Sequence, residues 1–312
     1  MSIQSIHKGT RLNSLSRYIP LMVMCLPGLA YLLINNYIPM AGLVIAFKEY
    51  NYAKGIFGSD WIGFKNFEFL FRTRDALVIT RNTVLYNLLF IAINTAGSIV
   101  TAVLLSEVAS KLLLRIYQTV ILLPYLISIV IVSYLAYAFL ATDVGFINKS
   151  ILPLFGKEAV TWYLEAKHWP VILPVVSFWK GVGFTSVIYL SSIVGIDRTF
   201  YEAAELDGAT KLQGVRHITI PLIAPVITMM LLLSVGRIFY SDFGLFFQVP
   251  MNSGAIYSTT NVIDTYVYRG LMQLNNIGMA AAAGLYQSIV GFILVISSNF
   301  LVRRFNPDNA LF

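Results

Sequence analysis

The chain has 312 residues, 57% of them apolar and only 12% charged, with a net charge of +7 and a mean hydropathy of +0.73. A soluble domain carries roughly 25% charged residues; a chain with half that number cannot cover its own surface, which excludes a soluble enzyme, a disordered segment and a disulfide scaffold and leaves a polytopic membrane protein. The basic excess is spread along the chain, not massed on one face, which speaks against a nucleic-acid partner and suits a protein lying against the anionic headgroups of a lipid bilayer.

A transmembrane helix takes about 20 mostly apolar residues, and six runs of that kind follow in chain order. The first, 19–47, is interrupted by Pro27 and Pro39 and is too long for a signal-peptide core; it reads as a retained helix, kinked or tilted. Its Cys25 is the only cysteine, so an internal disulfide and a thiolate metal cluster are excluded. A long loop of mixed charge, 48–82, leads to the second run at 83–106 and the third at 116–140. The fourth, fifth and sixth cover 171–196, 221–240 and 277–302. With six spans both termini lie on one side. Lys and Arg divide evenly between the two sides, so loop charge does not orient the chain. No repeat of 20–50 residues and no inverted three-plus-three repeat is visible, which argues against a solenoid and against a secondary carrier.

The loop between the fourth and fifth runs has the pattern of helix, break, helix. Thr199 followed by Glu202 fits a capping box, residues 202–206 are good helix formers, and Gly208 is placed as a C-terminal break. A second amphipathic stretch, 209–218, sets Leu212, Val215 and Ile218 near one face, and Pro221 opens the next span, where a missing N–H costs nothing. Such a loop forms a rigid, partly apolar knob, suited to passing force between subunits.

The spacing of this loop, Glu202-Ala203-Ala204, three residues, Gly208, nine residues, Ile218, one residue, Ile220, Pro221, resembles the EAA loop of ABC importer permeases, with Ile220 where that family more often has Leu. The stretches YIPMAGLVIAFKEYN (37–51), WIGFKNF (61–67), LLPYLISIVIVSYLAYAFL (122–140), FWKGVGFTSVIYL (178–190) and VIDTYVYRGL (262–271) are similar to its polysaccharide and oligosaccharide branch, the lipo-oligosaccharide type. The likeness runs from about residue 20 to the C-terminal FNPDNALF. It implies an all-α membrane protein with the type I ABC importer permease fold, six transmembrane helices in a single domain over 1–312 and a cytoplasmic coupling helix. By the same likeness, loop 199–220 docks on an ATPase through Glu202, Ala203, Ala204, Asp207 and Gly208, and both termini are cytoplasmic in a bacterial cell membrane. The implied partners are a second permease, two ATPase subunits that carry ATP and Mg, and an extracytoplasmic solute-binding protein; the long, mixed-charge loop at 48–82 is either the docking surface of that protein or a plain solvated connection. The implied cargo is an oligosaccharide or polysaccharide fragment. A permease for another cargo and an autonomous carrier are the alternatives, and the carrier leaves the EAA pattern unexplained.

Two cations fall inside spans, where a charge near the bilayer centre costs about 2.5–3.5 kcal/mol on insertion scales. Lys180 and Arg237 each stand about 24 Å up their helices from the cytoplasmic end, in the outer part of the core. They either snorkel to the interface or pair with Asp242, or they contact hydroxyls or carboxylates of an acidic sugar. Tyr134, Tyr137 and Trp179 offer flat faces that stack on sugar rings; an interfacial belt and ordinary packing are the plainer reading. Gly278, Ala280 to Ala283, Gly284 and Gly291 supply small surfaces for close helix approach, and Asn94, Ser98, Gln287 and Asn299 read as interhelical hydrogen-bond formers. His7, His168 and His217 lack metal-ligand spacing. No phosphate-binding loop is present, so no cofactor is expected in this chain and it is expected not to be an enzyme.

Overall fold

The computed structural model describes residues 9–305; His7 and the C-terminal NPDNALF lie outside them. Five helices are long and apolar enough each to cross a membrane, and a sharply bent pair makes a sixth crossing if counted as one.

Helix α1 (Gly9–Leu32) runs on through a π turn at Leu33–Tyr37 and ends in a 3-10 segment, Ala41–Phe47. Pro27 sits inside the regular helix; the change of helix type comes instead just before Pro39, where the ring removes a donor and crowds the preceding turn. Residues 18–41 are exposed along their whole length, and only the 3-10 segment packs on another span.

The loop that follows is folded. Strands β1 (Lys48–Glu49) and β2 (Asp60–Trp61) pair antiparallel, Lys48 opposite Trp61. The Phe47 and Trp61 rings stack at 5.5 Å, and Asn66 Nδ2 donates to the carbonyls of Ala46 at 3.1 Å and Lys48 at 2.9 Å. Helix α2 (Arg74–Ser106) starts nine residues earlier than hydropathy indicates, because Thr73 caps it by accepting from the Ala76 N–H. At about 1.5 Å per residue it measures roughly 50 Å and overshoots a 30 Å hydrocarbon core.

The third apolar run is not one straight helix. It forms α3 (Lys111–Leu126) and α4 (Ile129–Leu140), bent by 95°. Ile127 and Ser128 are extended, and the Ser128 hydroxyl accepts from the Val130 N–H, which starts α4 afresh. A break inside a membrane leaves carbonyls without partners, and these must be met within the protein. Lys180 meets them: its ammonium donates to Ile127 O at 2.6 Å, Tyr125 O at 3.2 Å and Pro124 O at 3.4 Å.

Helix α5 (Trp169–Val194) is the central element, packed on both α2 and α3. Glycines allow the approach: a Cβ at Gly97 would lie 2.2 Å from the Phe178 ring, and one at Gly183 would lie 2.0 Å from the Ile121 carbonyl oxygen. Helix α6 (Thr199–Leu206) follows. Helix α7 then runs from Lys211 to Val235 without interruption. The second amphipathic stretch of the loop is therefore the first two turns of the fifth span. A π turn at Val215–Thr219 carries the helix into Pro221, the local widening by which a helix accommodates a residue that cannot donate. The span also stops five residues early, at Val235, and residues 236–242 are non-helical.

Helices α8 (Phe243–Gln248) and α9 (Ile263–Leu274) build a lobe before the last helix, α10 (Ile277–Phe305). In α10, Gly291 lies against the Gly236 carbonyl oxygen and Gly278 against Asn66, whereas Gly284 faces open space. Three buried apolar clusters hold the chain together. One joins Tyr86, Phe90, Trp169 and Leu173 to Phe246 of the lobe; a second joins Phe69, Ile79, Ile263 and Met279; the third joins Leu105, Tyr189, Ile193 and Ile223 near the α6 end.

Candidate coupling loop and membrane cavity

The knob is built from two opposed caps. Asp197 Oδ1 accepts from the Thr199 N–H at 3.0 Å, and that backbone hydrogen bond holds the Asp197 carboxyl below its usual range. The expected Thr199–Glu202 capping box does not form, because Asp197 already caps the helix and Thr199 lies within it. Glu202 is exposed, and among the described residues its carboxylate has no partner. At the other end Gly208 takes φ +79°. The Ala209 N–H donates to Ala204 O at 2.9 Å and the Gly208 N–H to Glu205 O at 3.0 Å, the paired bonds of a Schellman turn. A true capping box sits two residues on, Thr210 with Gln213.

One contact ties α6 to α7, and a second ties the start of α7 to the end of α2. The Tyr201 hydroxyl bonds Thr219 Oγ1 of α7 at 2.8 Å, and Lys211 pairs with Glu107 at the end of α2. Behind α6 lies a cavity of about 470 Å³ bordered by Glu107, Ile193, Tyr201, Glu205 and Lys211. On its outer side α6 presents Ala203 and Asp207, Phe200, and Leu206, which is 90% exposed. Ala204 is half-buried against the cavity. The knob is thus rigid beneath and apolar on top, with a carboxylate free to pair.

A second cavity, about 630 Å³, opens between α2, α5, α7 and the non-helical residues 236–242. Its wall includes Asn87, Asn94, Thr185, Tyr189, Arg237 and Tyr240. Asn94 Oδ1 and Ser241 Oγ are buried without a partner among the described residues, so each has hydrogen-bonding capacity to spare. Arg237 is exposed to this space and has no acceptor among the described residues. It does not pair with Asp242, whose Oδ1 caps α8 by accepting from the Leu245 N–H at 3.0 Å. Because the helix ends at Val235, the two residues are not neighbours on one helical face.

Of the five residues singled out for the substrate pathway, the structure brings only Arg237 to this cavity. Lys180 neither snorkels nor meets Asp242; the end of α3 takes its three donors. Tyr134 and Tyr137 are carried away by the bend between α3 and α4. Tyr134 is 63% exposed on the chain's surface, and the Tyr137 ring packs on Tyr163 at 5.7 Å. Trp179 is also exposed. The cavity's own polar residues were less visible in the sequence. Their signal is the seven-residue spacing of Asn87 and Asn94, which puts two amides on one face of α2.

With this geometry established, comparison with known proteins decides the family. The family described as binding-protein-dependent transport system inner membrane component matches residues 93–307. The chain belongs to this family. The permease is 34% identical over 288 residues to the polygalacturonan/rhamnogalacturonan transport system permease protein YteP of Bacillus subtilis (strain 168), covering 92% of this chain and 89% of that protein. It is 32% identical over 288 residues to protein LplB of the same organism, covering 92% and 90%. It superposes with a TM-score of 0.86 and 32% identity on a chain of a bacterial ABC transporter involved in the import of the acidic polysaccharide alginate, over 95% of this chain and 99% of that one. The permease therefore has the all-α importer fold that the EAA resemblance implies, and it is a transport subunit of the inner membrane.

Proposed function

We propose that the permease is one membrane subunit of an ATP-driven importer of acidic oligosaccharides or polysaccharide fragments. The observation that carries this reading is the cavity between α2, α5 and α7, where an unpaired guanidinium stands among amides and hydroxyls. Amides and hydroxyls suit sugar hydroxyls, and a planar guanidinium suits a carboxylate. The likeness to permeases named for polygalacturonan and rhamnogalacturonan, and to an alginate importer, supports the same cargo class.

On this reading two ATPase subunits hold ATP and Mg and one of them receives α6, with Glu202, Ala203, Ala204 and Asp207 at the contact and Gly208 turning the chain back. A second permease completes the pathway, and the exposed Tyr134, Tyr137 and Trp179 face it. A solute-binding protein delivers the sugar from outside, as a periplasmic protein bound to an alginate pentasaccharide does in a related complex. The knob and both termini are cytoplasmic. ATPase closure pushes α6, and the spans shift between two packings biased from both ends.

The test uses the reconstituted complex with its ATPase, second permease and binding protein, comparing free and methyl-esterified oligogalacturonate. Wild type should take up the free acid, and Arg237→Met should lose about tenfold or more of that uptake, as expected for one charge-assisted hydrogen bond. Equal uptake of both sugars by wild type would remove the acidic cargo. Glu202→Ala and Gly208→Asp should weaken co-purification of the ATPase; a chain recovered alone that still transports would point to an autonomous carrier.

A further inference from the structure

Residues 236–242 are backbone that has left the helix within a membrane-spanning fold, and their polar groups are met by three separate elements. Asn87 of α2 donates to Ile238 O at 2.9 Å. Gln287 of α10 donates to Phe239 O at 2.6 Å. Asp264 of α9 accepts from the Ser241 N–H at 2.8 Å, and Gln287 Nε2 also lies 3.3 Å from both Asp264 oxygens. The segment so held is the one that presents Arg237 and Tyr240 to the cavity. Of the three clamps, two come from spans and one, Asp264, comes from the lobe. Among the described residues no cation pairs with Asp264, and burial pushes its carboxyl above the usual range.

Helix α9 connects this clamp to the opposite surface. Near its start, the Ile263 N–H is taken by Thr83 Oγ1 at 3.0 Å. Twelve residues carry it about 18 Å. At its far end Met272 and Leu274 are exposed, and Asn275 accepts from the Tyr52 hydroxyl of the folded loop at 3.0 Å. The exposed aromatics of that loop, Phe57, Trp61 and Phe64, add to this surface. One short rigid helix thus has its far end in an exposed apolar surface and its near end hydrogen-bonded to the cavity wall.

We propose that Asp264 is a positioning residue that carries the docking of the binding protein, through α9, to the Arg237–Asp242 segment of the cavity. This rests on the binding-protein-dependent reading given above. Movement of α9 on docking shifts the Ser241 N–H and loosens or tightens the hold on Phe239, so the cavity wall changes shape when the outer face is occupied. Asp264 touches no sugar and takes no part in hydrolysis.

The experiment measures ATP hydrolysis by the reconstituted complex, alone and over a range of sugar-loaded binding protein, for wild type, Asp264→Ala, Asp264→Asn and Gln287→Met. The expected result for Asp264→Ala is basal hydrolysis within about twofold of wild type, an unchanged half-saturating binding-protein concentration, and a fall of about tenfold in maximal stimulation, the usual size of a coupling between sites. Asp264→Asn, which keeps one acceptor for the Ser241 N–H, should recover much of it. Gln287→Met, which leaves the Ser241 bond intact, should fall between. A purely structural role would lower yield and melting temperature while basal and stimulated rates fell together. That pattern, or wild-type stimulation in Asp264→Ala, overturns the proposal. If Asp264→Ala does not assemble, wild-type stimulation in both milder variants overturns it instead. Failure of wild type itself to respond to the loaded binding protein would strike the parent reading.

Discussion

Replacing Gly183 by alanine puts a methyl carbon 2.0 Å from the Ile121 carbonyl oxygen and 2.6 Å from its carbon. Both are backbone atoms, so no side chain can swing aside, and α3 has to move as a body by roughly 1 Å or more to restore ordinary contact. Helix α3 is not free to do so. Lys180 holds its last carbonyls, and the Tyr125 ring stacks on Phe184 of α5 with centroids 4.6 Å apart. Overpacking of this kind costs about 1–3 kcal/mol, which at 2–4 °C per kcal/mol is a fall of about 2–12 °C in melting temperature. The assay is thermal unfolding of the purified permease in detergent, followed by loss of the monodisperse peak in size-exclusion chromatography. Gly284→Ala is the matched control, since a methyl there has nothing within 4 Å and should leave the midpoint unchanged or slightly raised. If Gly183→Ala melts together with Gly284→Ala, the close approach of α3 and α5 is wrong.

Lys180→Met should destabilise the fold by about 1.5–3 kcal/mol, because three carbonyls lose a charged donor; the same thermal assay reads it. Gly208→Ala should cost about 1–2 kcal/mol from the left-handed backbone alone, with Gly208→Asn costing less; the ratio of the two melting shifts checks this. Glu165 is held down to about 2 by hydrogen bonds from Lys167 and Thr161, against an ordinary 4.5. A carboxyl depressed on folding adds stability above its unfolded pKa and loses it as pH falls through the folded one. The difference in melting temperature between wild type and Glu165→Gln should therefore be present at pH 6 and shrink below pH 4.

The knob was legible because composition and spacing coincide over twenty residues, and the break at Gly208 is where a left-handed position was expected. Its first cap was misread by two residues: Asp197 and Thr199 are both good caps, and only the backbone decides which one stands outside the helix. The run from 116 to 140 carries no charge and no glycine, so hydropathy reads it as one piece; Pro124 and Ser128 were the only local marks of the bend. The partner of Lys180 was beyond reach of pattern, since the carbonyls it meets lie 53–56 residues away in sequence. Arg237 and Asp242 suggested a pair only while the helix was assumed to continue past Val235.

The unbroken course of α7 has a mechanical consequence. Its first turns are tied to the knob by the Tyr201–Thr219 bond, and Arg237 follows two residues after its last turn. Twenty-five residues make a strut of about 37 Å, widened by the π turn at Val215–Thr219, and just past its far end the backbone of Gly236 lies against Gly291 of α10. A tilt about Gly236 moves the knob end through the strut's whole length. Arg237 lies one residue past that fulcrum, so the lever arm is long on the knob side and short on the cavity side, and a wide excursion of the knob is a small one of the guanidinium.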